Sequence, residues 1–386
     1  MASQIDLTED HLPSDIWRSW LPIQGRSVFH LFEFNQYPAG STHYLTPSDL
    51  TPMLHEADIP DFSHTTLIQL GPPLDPSVSK AYQDAIRSAQ HLVNSVTLTP
   101  SAVHGEPVRV PVWIFDYWRE MELATSYQVQ WRAAMVWLES YSESPVTSGC
   151  CQKLLMALSF FPWSGNNASV RNITSLLSGT PPQSYLSDFH IDHVINQISN
   201  QHQDLYGPKI SERHIITTVD ILGSITTFYG SRCAPPKAGN LLWERLAEIE
   251  NQIVQGEVDS VGGVYHLPLH WVPVVFDFQQ GYLLYGDSLC QQIPKPEHKA
   301  FTHWITLLFQ RSGRNIDSHP VPVCPLPTGC QNDGASCGLF ALNAIGHHYL
   351  GDPLLPPDQT SLACRRMEIA LDLIHKNTVC FILSNL

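Results

Sequence analysis

A chain of 386 residues, 43% hydrophobic and 15% charged, has ample apolar material for a core and the length for two domains, or for one with an extension. Its 36 acidic and 21 basic residues leave a formal charge of −15, which argues against a nucleic-acid grip, since that needs a basic face. No apolar run is long enough to span a membrane. The nine cysteines, an odd number, and a polar, acidic start without an apolar signal core point to a reducing intracellular setting, nucleus or cytoplasm.

Residues 1–75 are rich in Pro, His and polar side chains, with 17–32 and 65–70 as short strands or helices. Asp75-Pro76 reads as a helix cap with proline in the first turn, and apolar spacing continues a helix to residue 93. A break from Pro100 to Pro111 precedes a long helix over 113–140, whose stripe of Trp118, Trp131, Met135 and Trp137 is core material. Cys150-Cys151 opens another apolar segment, and an adjacent pair is poor metal-ligand spacing. Residues 164–184 are rich in Ser, Asn, Gly and Pro and make the best linker. The chain therefore divides into a mainly helical region, 1–180, and a second domain, 183–386.

In the second domain the pattern predicts helices over 191–200, over 215–228 and over 241–255, the last ending at Gly256. Residues 267–277 and 281–289 read as two strands joined by a Gln-Gln-Gly turn. A helix over 298–310 and a Pro-rich edge strand over 321–327 follow. Past Pro353 to Pro357 come a helix over 361–374 and a small strand over 379–383. Cys324, Cys330 and Cys337 lack a fourth ligand at finger spacing, so they read as loop and core cysteines and not as a metal cluster.

The chemistry concentrates in Gln331-Asn332-Asp333-Gly334-Ala335-Ser336-Cys337-Gly338, which runs into the apolar segment 339–345. A thiol at a helix N-terminus feels the positive end of the macrodipole, which favours thiolate. The same pattern also suits an inert core cysteine. The upstream strands tip the balance. His270 opens the first and Asp287 closes the second, and antiparallel pairing brings these ends together. Asp287 would then orient His270, and His270 would take the proton of Cys337. The Gln331 amide and the Cys337 backbone N–H would be the oxyanion donors. His266 reads as an ordinary strand residue.

His270-Trp271, Asp287-Ser288-Leu289 and Gln331 followed by five residues and Cys337-Gly338 resemble, in order and spacing, the ubiquitin-like-protein-specific cysteine proteases that process SUMO and related modifiers. Tyr185-Leu186-Ser187-Asp188 resembles that family's Trp-Leu-Asn-Asp entry motif, with Tyr185 in place of the usual tryptophan, and Ser336 stands where Asp commonly precedes the cysteine. The combination is more similar to a divergent, fungal-type branch than to a typical SUMO protease. The resemblance covers about residues 183–386. It implies an α+β, papain-like cysteine protease domain in permuted His-Asp-Cys order, built on a central mixed sheet. It implies His270, Asp287, Gln331 and Cys337 as catalytic residues, and Tyr185, Asp188 and Trp271 as the substrate channel for a glycine-ended tail. By the resemblance Asp188 would hold that tail; by its own preference it reads as a helix N-cap, and the two roles are compatible. The substrate implied is a ubiquitin-like modifier precursor or conjugate, with no metal or organic cofactor and no membrane or nucleic-acid partner. Two other readings use the same residues: a non-catalytic module that binds a modifier, and a thiol protease or acyltransferase acting on an unrelated polypeptide.

Overall fold

The computed structural model describes residues 53–56, 76–90, 92–98, 107–161, 168–177, 185–230, 239–314 and 321–384. The expected elements at 17–32 and 65–70, and residues 164–167 and 178–184 of the expected linker, lie outside these residues; the middle of that linker, Ala168–Leu177, is a helix that buries Ile173, Leu176 and Leu177 and is no linker.

In chain order the elements are β1 (Met53–His55), α1 (Pro76–Ser88), β2 (Ser95–Leu98), β3 (Val108–Pro111), α2 (Ile114–Ser142), α3 (Ser148–Phe160), α4 (Ala168–Leu177) and α5 (Asp188–Tyr206). They continue with α6 (Pro208–Ser211), β4 (His214–Thr217), α7 (Val219–Tyr229), α8 (Leu241–Gln255), β5 (Ser260–Leu267), β6 (His270–Asp277) and β7 (Tyr282–Tyr285). The last are α9 (Lys295–Arg311), β8 (Val323–Pro325), α10 (Cys337–Leu350) and α11 (Gln359–Ser384). They fall into two compact units, Met1–Arg132 with Leu158–Val170, and Ala133–Ala157 with Arg171–Leu386.

In the first unit, β1, β2 and β3 form an antiparallel sheet with Val96 opposite Val110. Its apolar residues are spaced by two: Val96, Leu98 and Val110 are buried, and Tyr82 of α1 stacks on Phe115 at 5.5 Å while its hydroxyl donates to the Thr97 carbonyl. Sequence reading passed over this sheet, because its strands are three or four residues long and too short to show a period.

The second unit has α+β architecture around a five-stranded mixed sheet in the order β4-β5-β6-β7-β8. The central β5, β6 and β7 are antiparallel, and each edge strand runs parallel to its neighbour. Val274 and Phe276 of β6 turn to one face, where they meet Leu222, Phe301, Trp304 and Leu308 from α7 and α9. Val275 and Gly262 turn to the other, against α10. A side chain at Gly262 would collide with the Tyr349 ring of α10, so glycine is what lets that helix lie flat on the sheet.

Two expectations are corrected here. Residues 215–228 are not one helix: Ile215, Ile216 and Thr217 pair in parallel with Val261, Gly262 and Gly263, and the helix begins at Val219, whose amide donates to the Asp192 carboxylate at 2.9 Å. The β-branched run preferred the sheet edge. Residues 379–383 continue α11 and are not a strand. The edge strand expected over 321–327 is present as β8, parallel to β7.

Candidate active site

Three local devices set out the site. The β5–β6 hairpin turns on Pro268-Leu269, with Leu267 paired to His270 and Leu269 at φ 59°. Positive φ at the third residue of such a turn normally calls for glycine, so an exposed leucine is held there under strain, directly before His270. The β6–β7 connection turns on Asp277, whose Oδ1 accepts the Gln279 and Gln280 amides at 2.9 Å. The third device is the turn ahead of α10. Asp333 Oδ1 accepts the amides of Ala335 and Ser336 at 3.0 and 2.8 Å, and its Oδ2 accepts the Ser336 hydroxyl at 2.7 Å. Burial pushes the Asp333 carboxyl up, but these hydrogen bonds and the Arg366 charge outweigh it, so its pKa lies below the usual value.

The β6–β7 register, Val274 opposite Tyr285, places Asp287 diagonal to His270. The side chains close the gap: His270 Nε2 and Asp287 Oδ1 lie 2.9 Å apart, with only 12% and 2% of the two side chains exposed. Asp287 is itself fixed by the Leu289 amide on Oδ1 at 2.6 Å and the Tyr285 hydroxyl on Oδ2 at 3.3 Å. With Nε2 committed to Asp287, Nδ1 is the nitrogen left for Cys337. The Asp287 hydrogen bond, and then the Cys337 sulfur, push the His270 imidazole up to about 9 against the opposing effect of burial. Cys337 is buried and is the first residue of the 14-residue α10, where the helix dipole favours an anion. Its backbone N–H stands in the first turn, which has no intrahelical acceptor.

Gln331 is oriented from both ends. Its Oε1 accepts the Ser288 hydroxyl at 2.7 Å, and its Nε2 donates to the Asp333 carbonyl at 2.8 Å. A carbonyl can only accept, so the amide orientation is decided, and the second Nε2 hydrogen remains able to donate. The Gln331 amide also donates to the Ser288 carbonyl at 2.9 Å, tying the Gln331 loop to the Asp287 loop.

The entry segment lies beside the Cys337 turn. The Trp271 indole, 4% exposed and stacked on His266 at 4.2 Å, donates to the Leu186 carbonyl at 2.9 Å. Leu186 then rests on Gly338, where a Cβ would come within 3.1 Å of its side chain. Tyr185 is partly buried and Asp188 exposed. The helix N-cap is Ser187, not Asp188, which occupies the first turn. His190 Nδ1 receives the Ser187 amide at 3.0 Å.

Sequence reading assigned no role to Ser288, Asp333 or Arg366. Ser288 and Asp333 stood within the quoted motifs, and an aspartate three residues before a capping serine is a turn signal. Arg366 on α11 is 6% exposed and its Nη1 has no partner among the described residues. Burial pulls its pKa down, opposed by the charges of Asp333, Cys337 and Tyr141. A cation 29 residues beyond Cys337 gives no signal before folding brings it there. Among the described residues no group of three His, Cys, Asp or Glu side chains is arranged to hold a metal.

No family model matches the chain, and no curated protein matches it. Several solved structures are similar to it. One is the C-terminal Ulp1 protease domain in complex with Smt3, the yeast ortholog of SUMO: 16% identity over 54% of this chain and 83% of that one, TM-score 0.38. Another is the Chaetomium thermophilum Ulp1-like SUMO protease catalytic domain: 17% identity over 50% and 72%, TM-score 0.39. A third is the Chlamydia trachomatis effector Cdu1 bound to ubiquitin: 18% identity over 47% and 88%, TM-score 0.27.

Proposed function

We propose that the chain is a cysteine peptidase that cleaves after the C-terminal glycine of a ubiquitin-like modifier, with Cys337 as nucleophile. The observation that carries this reading is the nearly buried His270–Asp287 pair, 2.9 Å apart, with the Cys337 sulfur near enough to raise the imidazole pKa. A histidine held between a fixed carboxylate and a thiol at a helix start draws the proton from sulfur and keeps it as imidazolium. The thiolate attacks the carbonyl carbon of the terminal glycine. Gln331 Nε2 and the Cys337 amide receive the oxyanion. Imidazolium then gives its proton to the leaving amine, and water, deprotonated by His270, releases the acyl group. The entry segment, held by the Trp271 indole on the Leu186 carbonyl and packed on Gly338 next to Cys337, supports the substrate class as the wall a glycine-ended tail would pass. The motif resemblance supports the same class.

The test is a panel of ubiquitin-like modifiers, each carrying a thiol-reactive electrophile at its C-terminus. We expect covalent labelling by at least one, at Cys337, lost in Cys337→Ser and retained in Cys324→Ser. Labelling of Cys337 by a small alkylating agent, with none by any modifier, overturns the substrate class and leaves the nucleophile.

A further inference from the structure

The mechanism leaves two thiols unused at the rim of the site. Cys290 ends the turn that carries Asp287, Cys330 directly precedes Gln331, and their sulfurs lie 3.4 Å apart. Both residues are exposed and neither is in a disulfide. Cys290 is held at φ 56°, a left-handed conformation rare for a side-chain-bearing residue, which turns it toward Cys330. Each loop already grips the other through Ser288 and Gln331, so the two sulfurs are carried on a fixed frame. We propose that Cys290 and Cys330 are a dithiol–disulfide site that clamps the Asp287 loop to the Gln331 loop. A disulfide bond of about 2.05 Å needs the sulfurs to approach by only a little more than an ångström. The cross-link closes a long stretch of chain, 290–330, which raises thermal stability by restricting the unfolded state.

The chemistry balances with a disulfide oxidant such as glutathione disulfide. The first of the two thiols to lose its proton attacks the oxidant, forming a mixed disulfide and expelling one glutathione thiolate. The second, deprotonated in turn, attacks the protein-side sulfur and expels the other. One protein dithiol and one glutathione disulfide give one protein disulfide and two reduced glutathiones. The neighbouring Cys330 thiol raises the Cys290 pKa, so the exchange quickens with pH. A second cluster makes an internal contrast. Burial, with help from Cys150, pushes Cys364 up to about 11, which keeps it a thiol at neutral pH.

The site is tested on the full chain equilibrated in glutathione buffers of graded potential, with free thiols alkylated and peptides mapped without reduction. We expect a linked peptide containing Cys290 and Cys330 in the oxidising buffers, lost again on reduction, and a melting temperature several degrees higher in the linked form. Cys290→Ser should show neither. A link between Cys150 and Cys364 in place of this one, recovery of Cys290 and Cys330 unlinked throughout, or a linked chain with an unchanged melting temperature each overturns the proposal. None of these readouts depends on hydrolysis, so the clamp and the peptidase reading stand or fall separately.

Discussion

His270 has two partners that pull its pKa the same way, Asp287 first and Cys337 second, and together they carry it to about 9. In the proposed mechanism the imidazolium protonates the leaving amine, so kcat/KM for a modifier substrate is expected to fall on an alkaline limb near pH 9. Asp287→Asn removes the larger cause, so that limb should move to lower pH while His270 remains the acid; an unmoved limb would mean another group titrates there. His270→Ala, which removes the base itself, should cost more activity than Asp287→Asn. In the proposed mechanism Gln331 would act through one amide hydrogen. Gln331→Ala should lower kcat by about two orders of magnitude with KM little changed, the usual loss for one oxyanion donor. Ser288→Ala leaves that donor present but unanchored, so its loss should be smaller and of the same kind. A Ser288→Ala chain that instead unfolds would make the hydroxyl a structural group.

Among the elements, the helical layer over α7–α9 is pinned by one buried carboxylate. Glu250 of α8 accepts from the Tyr229 hydroxyl, from the Trp304 indole at 2.9 Å and from Arg311 at 2.8 Å, with 3% of its side chain exposed. Glu250→Ala takes an acceptor from the Tyr229 hydroxyl and the buried Trp304 indole, while Arg311, 45% exposed, keeps Asn251 and water, so it should cost about 1–3 kcal/mol in urea denaturation, against near zero for an exposed pair such as Arg87 with Asp84. The β5–β6 turn gives the opposite case. Leu269 is 87% exposed at φ 59°, so its side chain gains nothing from burial and its backbone is strained. Leu269→Gly should leave stability unchanged or raise it by up to about 1 kcal/mol. A large loss would show that the leucine side chain has a structural partner.

Acid sensitivity belongs to the whole molecule. Burial lowers the His190 pKa to about 4, and its neutral tautomer satisfies both nitrogens, Nδ1 accepting the Ser187 amide and Nε2–H donating to the Asn172 carbonyl at 2.9 Å. A second proton would sit on Nδ1, facing that amide. The unfolded chain binds the proton near pH 6.5 and the folded chain only near 4, so this contribution is complete above about pH 6.5 and is lost as pH falls toward 4. The loss is on the order of 3 kcal/mol. Burial lowers His193, His202 and His348 in the same direction. Unfolding free energy measured from pH 7 to 4.5 should therefore drop steeply, and His190→Asn should make that slope shallower. A slope unchanged in His190→Asn would remove His190 from the account.

The sequence by itself determined what local pattern can carry: the long helices, the Gly256 and Cys337 helix boundaries, and the order of His270, Asp287, Gln331 and Cys337 along the chain. A helix of ten or more residues repeats its apolar spacing several times, and the site motifs place their residue types at fixed intervals. Short strands do not repeat their period, which is why β1 to β3 give no pattern in the sequence and β4 reads as part of a helix. Only the tertiary structure decided which partner each side chain has. Asp287 reaches His270 by a diagonal set by strand register, Ser288 and Asp333 together orient the Gln331 amide, and Arg366 arrives beneath the α10 start from the last helix. Cys290 meets Cys330 across forty positions of chain for the same reason: burial and hydrogen bonding pair groups by proximity in space, which local sequence spacing does not record.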